Sequence, residues 1–197
     1  MRIETSPLTL AALTEYATIP IRFEVRSRLR VVEEAGGLAG LRLIAEPVQP
    51  PYVKDYDAGE AGEPCGPLRW PLQFDVSRWA LFLARSGDLP VGGATLAHAT
   101  PAVHLLDGRS DLAVLWDLRV RPDWRGQGIG TALFGHAAAW ARERACRQMK
   151  VETQNINVPA CRFYSARGCH LGAIHRHAYA ASPALADEVM LLWYLDL

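Results

Sequence analysis

The sequence predicts an α/β protein of one domain, and three observations lead to this expectation. Its 197 residues suit a single domain, since domains commonly contain about 100 to 200 residues. Half of the residues are apolar and 21% are charged, a balance typical of a globular protein with a substantial core. In the second half of the chain, strand-like and helix-like apolar patterns alternate. Global disorder is therefore excluded.

Charge and cysteine content narrow the classes of partner and site. Basic and acidic residues number 21 each, so the formal net charge is zero. The overall charge therefore does not favour binding to nucleic acid or to a membrane surface. The four cysteines form no CxxC pair, and no cysteine or histidine shows metal-ligand spacing. We therefore expect no metal. The N-terminal residues lack the pattern of an export signal, so we expect a cytoplasmic protein.

The first half of the chain predicts one short helix followed by several strands. Residues 8–16 have the apolar spacing of a helix. Residues 21–31 alternate apolar and charged side chains, which is the period of a strand with one solvated face. Residues 41–45 predict a further strand, and residues 79–84 and 89–96 predict a hairpin.

Between these strands, residues 47–71 are rich in proline and glycine and predict a long loop. Loops of this length within compact domains are often functional, so a lid, a substrate wall and a solvated excursion are the alternatives. The acidic stretch 55–63 within it includes Asp55 and Asp57. These two carboxylates are candidates for binding a cationic substrate.

A glycine-rich segment, Arg125-Gly126-Gln127-Gly128-Ile129-Gly130, lies between a predicted strand at 112–120 and a predicted amphipathic helix at 131–144. Such a turn presents free backbone N–H groups and the positive end of a helix dipole, which together bind pyrophosphate. A Walker A loop would need a lysine after the last glycine, so that interpretation fails. A dinucleotide fingerprint would need its third glycine at Thr131, so a dehydrogenase is disfavoured.

The pattern Arg-x-x-Gly-x-Gly in this segment resembles the acetyl-CoA loop of the GNAT superfamily of N-acetyltransferases. Together with the strand at 112–120 and the helix at 131–144, the elements that follow resemble the GNAT core from its fourth strand onward, so the resemblance covers residues 111–197. They are a strand at 149–153, a helix at 159–167 and strands near 171–179 and 188–195. More narrowly, Glu152-Thr153-Gln154-Asn155 followed by Ala160-Cys161-Arg162-Phe163-Tyr164 is similar to streptothricin acetyltransferases.

The resemblance implies a GNAT-like three-layer fold, with a mixed, mostly antiparallel central sheet splayed at the coenzyme site and helices on both faces. It also implies transfer of an acetyl group from acetyl-CoA to a primary amine of a small cationic molecule such as streptothricin, by direct attack in a ternary complex. The sequence leaves a homodimer open. The implied coenzyme-binding residues, which act chiefly through the main chain, are Leu118, Arg119, Val120, Arg125, Gly126, Gln127, Gly128, Ile129, Gly130, Thr131, Asn157, Ala160 and Tyr164.

Acetyl transfer to an amine needs a group that removes the ammonium proton and an acid that protonates the departing thiolate. Similarity to the family implies Tyr164 as the acid. Asp117, an acid within an apolar strand, is the first candidate for the base or for an anchor of the amine, and Glu152 in the next strand is the second. The strand alternation around Asp117 leaves open whether it faces inward or outward.

Two other functions remain open at this stage. The same fold would also suit a protein lysine or an N-terminal amine as acceptor, with residues 47–71 forming a peptide groove. The second of these hypotheses is a non-catalytic acyl-CoA-binding regulatory module, and the presence of both Tyr164 and Asp117 counts against it.

Overall fold

The structure is a computed structural model that describes residues 1–58 and 66–197. These residues form two compact units that interleave along the chain. Glu60 and Glu63 of the predicted acidic stretch lie outside the described residues, and a single domain stays a prediction. The first unit comprises Met1–Arg22, Asp55–Val151 and Leu195–Leu197, and the second comprises Phe23–Lys54 and Glu152–Tyr194.

The described residues alternate between strands and helices in the manner of an α/β protein. Short 3₁₀ turns connect several of these elements. In chain order the elements are β1 (Arg2–Ser6), α1 (Leu10–Tyr16), β2 (Phe23–Glu34), β3 (Gly40–Lys54), α2 (Trp70–Gln73), β4 (Ala80–Ser86), β5 (Leu89–His98), β6 (Leu112–Val120), α3 (Ile129–Glu143), β7 (Gln148–Gln154), α4 (Val158–Ser165), β8 (His170–His175) and β9 (Met190–Asp196).

The described strands form a seven-stranded sheet in the order β1-β4-β5-β6-β7-β9-β8 and a separate hairpin of β2 and β3. The pairs β1–β4, β4–β5, β5–β6 and β8–β9 are antiparallel, whereas β6–β7 is parallel. The parallel register runs only from Leu112 opposite Gln148 to Val114 opposite Lys150. The mixed, mostly antiparallel sheet of the prediction is therefore confirmed.

In the first unit, two adjacent glycines of β5 allow helices to pack on both faces of the sheet. A Cβ atom at Gly92 would lie 3.0 Å from the Ile129 side chain of α3. A Cβ atom at Gly93, on the opposite face, would overlap the Tyr16 ring of α1 and lie 2.7 Å from the carbonyl oxygen of Phe82. Successive residues of a strand point to opposite faces. The predicted helices on both faces are therefore confirmed.

The face under α1 and α2 holds an aromatic core. Trp79 lies at its centre, with ring centroids 5.8 Å from Phe74, 6.3 Å from Trp70 and 5.2 Å from Trp116. The Trp79 indole N–H donates to Thr100 Oγ1 over 2.9 Å, so its polar atom is satisfied. Large aromatic side chains of this kind supply much of the apolar area that a core buries.

In the second unit, one asparagine joins the hairpin to the chain before β9. The Asn155 side chain donates from Nδ2 to the Leu29 carbonyl oxygen over 3.0 Å and accepts from the Val189 N–H over 2.9 Å. The Asn155 main chain also exchanges hydrogen bonds with Leu29 and Val189, each over 2.9 Å. Asn155 is 4% exposed, and buried amides need such partners.

Several sequence expectations need correction. Residues 47–54 are strand, because β3 continues to Lys54, so the predicted loop at 47–71 was wrong in that part. Pro47 and residues 52–54 are in register with β2, and the register shifts between them. Prolines are tolerated there because β3 is an edge strand of a two-stranded sheet. The strand predicted at 171–179 ends at His175. The sequence analysis also missed β1 (Arg2–Ser6), whose short polar stretch has no strong alternation.

No helix among residues 1–58 and 66–197 is long and apolar enough to cross a bilayer.

The close approach at Gly93 predicts a large effect of a single methyl group. Gly93→Ala should lower the free energy of unfolding by about 2 kcal/mol or more, because the new Cβ displaces the Tyr16 ring or the strand. The measurement is urea unfolding followed by tryptophan fluorescence. The matched control is Gly135→Ala on the exposed side of α3, where a Cβ meets nothing within 4 Å and which should stabilise by up to about 1 kcal/mol. Equal stabilities for the two variants would contradict the packing argument.

Candidate active site

The outer edge of β6 in the first unit carries main-chain groups that β5 does not use. Arg121 N–H donates to the Val91 carbonyl oxygen over 2.9 Å, and the register places Arg119 opposite Gly93 and Leu118 opposite Ala94. Antiparallel pairs alternate between hydrogen-bonded and non-hydrogen-bonded positions. Leu118 and Val120 therefore direct their N–H and C=O groups away from β5. Beyond Val114, β6 has no parallel register partner among the described residues.

The glycine-rich segment follows this edge and leads into α3. Gly126 and Gly128 have φ angles of 79° and 83°, in the left-handed region where a side chain would be strained. Gly128 is the N-cap of α3 and has no side chain to cap the helix. The main-chain N–H groups of Ile129 and Gly130 in the first turn thus have no acceptor within the helix, which makes them suitable donors to an anion.

Arg125 fastens this segment to the end of β6. Its Nε donates to the Val120 carbonyl oxygen over 3.0 Å, and its Nη2 donates to the Arg22 carbonyl oxygen over 3.0 Å. The Gln127 side chain donates to the Asp123 carbonyl oxygen over 3.3 Å. These side chains therefore hold the segment in place, and the main chain is left as the surface for the pyrophosphate that the sequence analysis expects.

A buried cluster surrounds Arg119, which lies two residues along β6 from Asp117, the first candidate for the base. Asp117 Oδ1 accepts from Arg119 Nε over 3.0 Å and from the Tyr16 hydroxyl over 2.6 Å, and Asp117 Oδ2 accepts from Arg119 Nη2 over 2.5 Å. The other edge of the guanidinium donates to Asp57 over 2.8 and 3.1 Å and to the Ile19 carbonyl oxygen over 3.1 Å. The Arg119 side chain is 1% exposed.

The cluster also fixes the protonation of its tyrosine. Burial, followed by the negative charge of Asp117, raises the pKa of Tyr16 well above its usual value. The Tyr16 hydroxyl therefore remains protonated and donates to Asp117 across the ordinary pH range.

This cluster changes the interpretation of four predicted residues. Both Asp117 oxygens already accept hydrogen bonds within the protein, and the Asp57 carboxylate is paired with Arg119, so both carboxylates are engaged internally. The Asp55 side chain accepts a hydrogen bond from the Asp57 N–H over 3.0 Å and so stabilises the local main-chain conformation between these two residues. The Arg119 side chain lies in this cluster and not at the outer edge of β6.

The second unit contains the other predicted carboxylate, Glu152 in β7. Glu152 Oε1 accepts hydrogen bonds from the Tyr179 hydroxyl and from Gln154 Nε2, the latter over 3.2 Å. No hydrogen bond to Glu152 Oε2 is recorded from the residues that the structure describes. Burial raises the pKa of Glu152, while the hydrogen bonds from Tyr179 and Gln154 partly oppose that rise.

Helix α4 in the same unit carries the remaining predicted residues. Asn157 is its N-cap, with Oδ1 accepting from the Ala160 N–H over 3.2 Å. Tyr164 is 6% exposed and packs edge-on against Phe163, with ring centroids 5.2 Å apart. The capping of α4 by Asn157 is confirmed, and the coenzyme contacts of Asn157, Ala160 and Tyr164 stay predictions.

Comparison with known proteins gives a family match that spans the open edge and the glycine segment. Residues 48–169, more than half of the chain, match the family model described as "Acetyltransferase (GNAT) family". The chain belongs to the GNAT family of acetyltransferases. The streptothricin acetyltransferase of Streptomyces lavendulae is 32% identical over 155 residues, which cover 78% of this chain and 75% of that protein.

Other GNAT relatives match over a shorter part of their length. Streptothricin acetyltransferase A of Bacillus subtilis (strain 168) is 38% identical over 82 residues, covering 42% of this chain and 47% of that protein. The chain spans about half the length of this relative and of the streptothricin acetyltransferase of Escherichia coli.

Solved structures confirm the GNAT fold over the whole chain. The crystal structure of nourseothricin acetyltransferase has a TM-score of 0.75 at 23% identity, covering 99% of this chain and 97% of that one. A putative streptothricin acetyltransferase from Bacillus anthracis str. Ames, solved in complex with acetyl coenzyme A, has a TM-score of 0.74 at 25% identity, covering 100% of this chain and 99% of that one.

Three residues that contact the candidate carboxylates were not predicted from the sequence in these roles. They are Tyr16, the buried Arg119 and Tyr179. Tyr16 and Asp117 are far apart in sequence, and only the fold brings them into contact. Tyr179 lay in a predicted strand, whereas the structure places it in turns after β8. The signal for Arg119 was present, because an Asp-x-Arg pair places both charges on one face of a strand.

The buried charge cluster predicts strong energetic coupling. Arg119→Met and Asp117→Asn should each lower the free energy of unfolding by about 3 kcal/mol, because each leaves a buried polar partner without its counterpart. The double variant should lose clearly less than the sum, measured as a double-mutant cycle by urea unfolding.

The exposed pair Arg109–Asp111 in the same unit is the matched control. Its side chains are 36% and 37% exposed, so Arg109→Met and Asp111→Asn should each change the free energy of unfolding far less than the variants of the buried pair. Additive effects at Arg119 and Asp117 would contradict the coupling.

Proposed function

We propose that this GNAT protein is an enzyme that transfers an acetyl group from acetyl-CoA to a primary amine of a small cationic molecule, with streptothricin as the first candidate. The single observation that carries the amine chemistry is the Glu152 carboxylate, whose Oε1 is held by two donors and whose Oε2 has no donor among the described residues.

The open edge of β6 supports the coenzyme part of the proposal. Leu118 and Val120 offer outward main-chain donors and acceptors of the kind that would pair with the amides of the pantetheine arm. The N–H groups at the start of α3 would receive the pyrophosphate, since a helix N-terminus favours negative charge. Family membership supports acetyl-CoA as the donor, and one GNAT neighbour was solved with acetyl coenzyme A.

Glu152 acts as the base in this proposal, and Asp117 acts as the partner of Arg119. An amine attacks a thioester only when it is uncharged, so its proton passes to Glu152 Oε2. The nitrogen then bonds to the acetyl carbon and the carbon–sulfur bond breaks, while Tyr164 donates its hydroxyl proton to the departing thiolate. The nitrogen loses its second extra proton to solvent as the amide forms, Tyr164 regains a proton from solvent, and Glu152 releases its proton to solvent. A base with a raised pKa is better matched to neutral pH than an ordinary carboxylate.

The choice of acceptor rests on the named relatives. Three curated proteins and two solved structures of similar sequence or fold carry the name streptothricin or nourseothricin acetyltransferase, one of the structures as a putative one. The exposed Asp55 and the acidic composition of residues 55–63 are compatible with a cationic substrate.

A panel assay tests the proposed function. Thiol release from acetyl-CoA is measured with streptothricin, aminoglycosides, polyamines, free lysine and lysine-bearing peptides. Turnover with streptothricin or another small cation is the expected result. Turnover confined to peptides would replace the acceptor class with a protein amine. Tight acetyl-CoA binding with no turnover on any amine would contradict the proposed enzymatic activity and favour a non-catalytic binding module.

The base assignment predicts a large loss from a nearly isosteric change. Glu152→Gln should lower kcat/KM for the amine about 10²- to 10⁴-fold, because the amide cannot accept the proton. The Kd of acetyl-CoA should be unchanged by calorimetry. The matched control is Glu24→Gln, a solvent-exposed carboxylate that pairs with Arg26 in β2, and its turnover should equal that of the parent. A Glu152→Gln variant with parental turnover would remove Glu152 as the base.

The acid assignment predicts a different kinetic signature. Tyr164→Phe should lower kcat about 10²-fold, because the departing thiolate loses its proton donor, while the Kd of acetyl-CoA stays within twofold. Steady-state thiol release and calorimetry measure the two quantities. Unchanged kcat would remove Tyr164 from the acid role.

A further inference from the structure

The segment between β8 and β9, residues 176–189, provides the hydroxyl that contacts Glu152. Tyr179 is half-buried on this segment, and its hydroxyl donates to Glu152 Oε1. The same hydroxyl accepts from Gln154 Nε2 over 2.8 Å, and Gln154 also donates to Glu152 Oε1. Three side chains of the second unit thus form a closed ring of hydrogen bonds.

Contacts on both sides of Tyr179 fix this segment to the hairpin. On one side, Arg176 forms an ion pair with Glu33 of β2. On the other, Lys54 Nζ at the end of β3 lies 2.6 Å from Glu188 Oε1. Tyr179 also accepts at its carbonyl oxygen from the Ser182 N–H over 2.9 Å. The hydroxyl is therefore presented by an anchored chain.

The ring of hydrogen bonds restricts the orientation of the carboxylate. A glutamate side chain has three rotatable bonds, and its terminal torsion is broad and roughly two-fold. Two donors converging on Oε1 occupy one carboxylate oxygen and hold the plane of the group. Oε2 then remains as the oxygen with an unused lone pair, which is the requirement for a base that takes a proton from an ammonium group.

We propose that Tyr179 is the positioning residue of the acetyl transfer, holding Glu152 Oε1 so that Oε2 is the oxygen presented to the acceptor amine. The inference rests on the proposed function, because it takes Glu152 as the base. It adds a residue and a chain segment that act through that base.

The pKa of Glu152 provides a measurement that distinguishes a positioning role of Tyr179 from a purely structural one. Among the described residues, Tyr179 and Gln154 are the groups that donate hydrogen bonds to its carboxylate. Burial raises the pKa of Glu152, and both hydrogen bonds lower it. Removal of the Tyr179 hydroxyl should therefore raise the pKa of Glu152 further. Since the base works only when deprotonated, activity should then be lost at higher pH than in the parent.

The first test is the pH profile of kcat/KM for Tyr179→Phe with the best amine from the panel. Its acidic limb should move upward by about one pH unit, as expected for loss of a hydrogen bond to a charged group. Gln154→Leu removes the second donor and should move the limb in the same direction. Tyr52→Phe on β3 is the matched control with a parental profile. Parental profiles for both Tyr179→Phe and Gln154→Leu would overturn the inference.

A double-mutant cycle separates this inference from the proposed function. If Tyr179 acts through Glu152, Tyr179→Phe should cause no further loss of kcat/KM in the Glu152→Gln background. Additive losses would overturn the positioning role while leaving Glu152 as the base. Parental turnover of Glu152→Gln alone would instead show that the proposed base is wrong, whatever Tyr179→Phe does.

Discussion

The burial of one guanidinium constrains the functional edge of the first unit. Arg119 is enclosed by carboxylates from β6 and from the segment after β3, and by the carbonyl oxygen of Ile19 just after α1. A buried cation is tolerated only with full compensation. Val120 is the next residue of β6, and its main chain faces the outer edge of the strand. The carboxylates that pair with Arg119 therefore also hold in place the strand to which we expect acetyl-CoA to bind.

The two units place their polar groups under different constraints. In the first unit, internal partners satisfy the buried charge of Arg119, and the groups that we propose for coenzyme binding are main-chain atoms at a strand edge and a helix start. In the second unit, a carboxylate keeps one oxygen without a donor among the described residues while the other is held. A carboxylate that is fully paired stabilises structure, whereas a carboxylate with an unused oxygen can exchange a proton. This difference is why Glu152 replaces Asp117 as the proposed base.

Local signals in the sequence predicted much of this fold. Alternation predicted β2, two strand-like runs at 79–84 and 89–96 predicted the hairpin of β4 and β5, and the glycine segment predicted the start of α3. Proline content misassigned the end of β3, because proline is excluded from central strands but not from an exposed edge. The partners of Asp117 could not be predicted, since Tyr16 and Asp57 reach it or Arg119 only through tertiary packing. Tyr179 was missed for the same reason.

The structure of the protein with bound acetyl-CoA tests the central claim most directly. The account predicts pantetheine amides paired with the main chain of Leu118 and Val120 at hydrogen-bond distances of about 2.9 Å. It also predicts the pyrophosphate on the N–H groups at the start of α3. A coenzyme bound elsewhere, with this edge of β6 unpaired, would contradict the account.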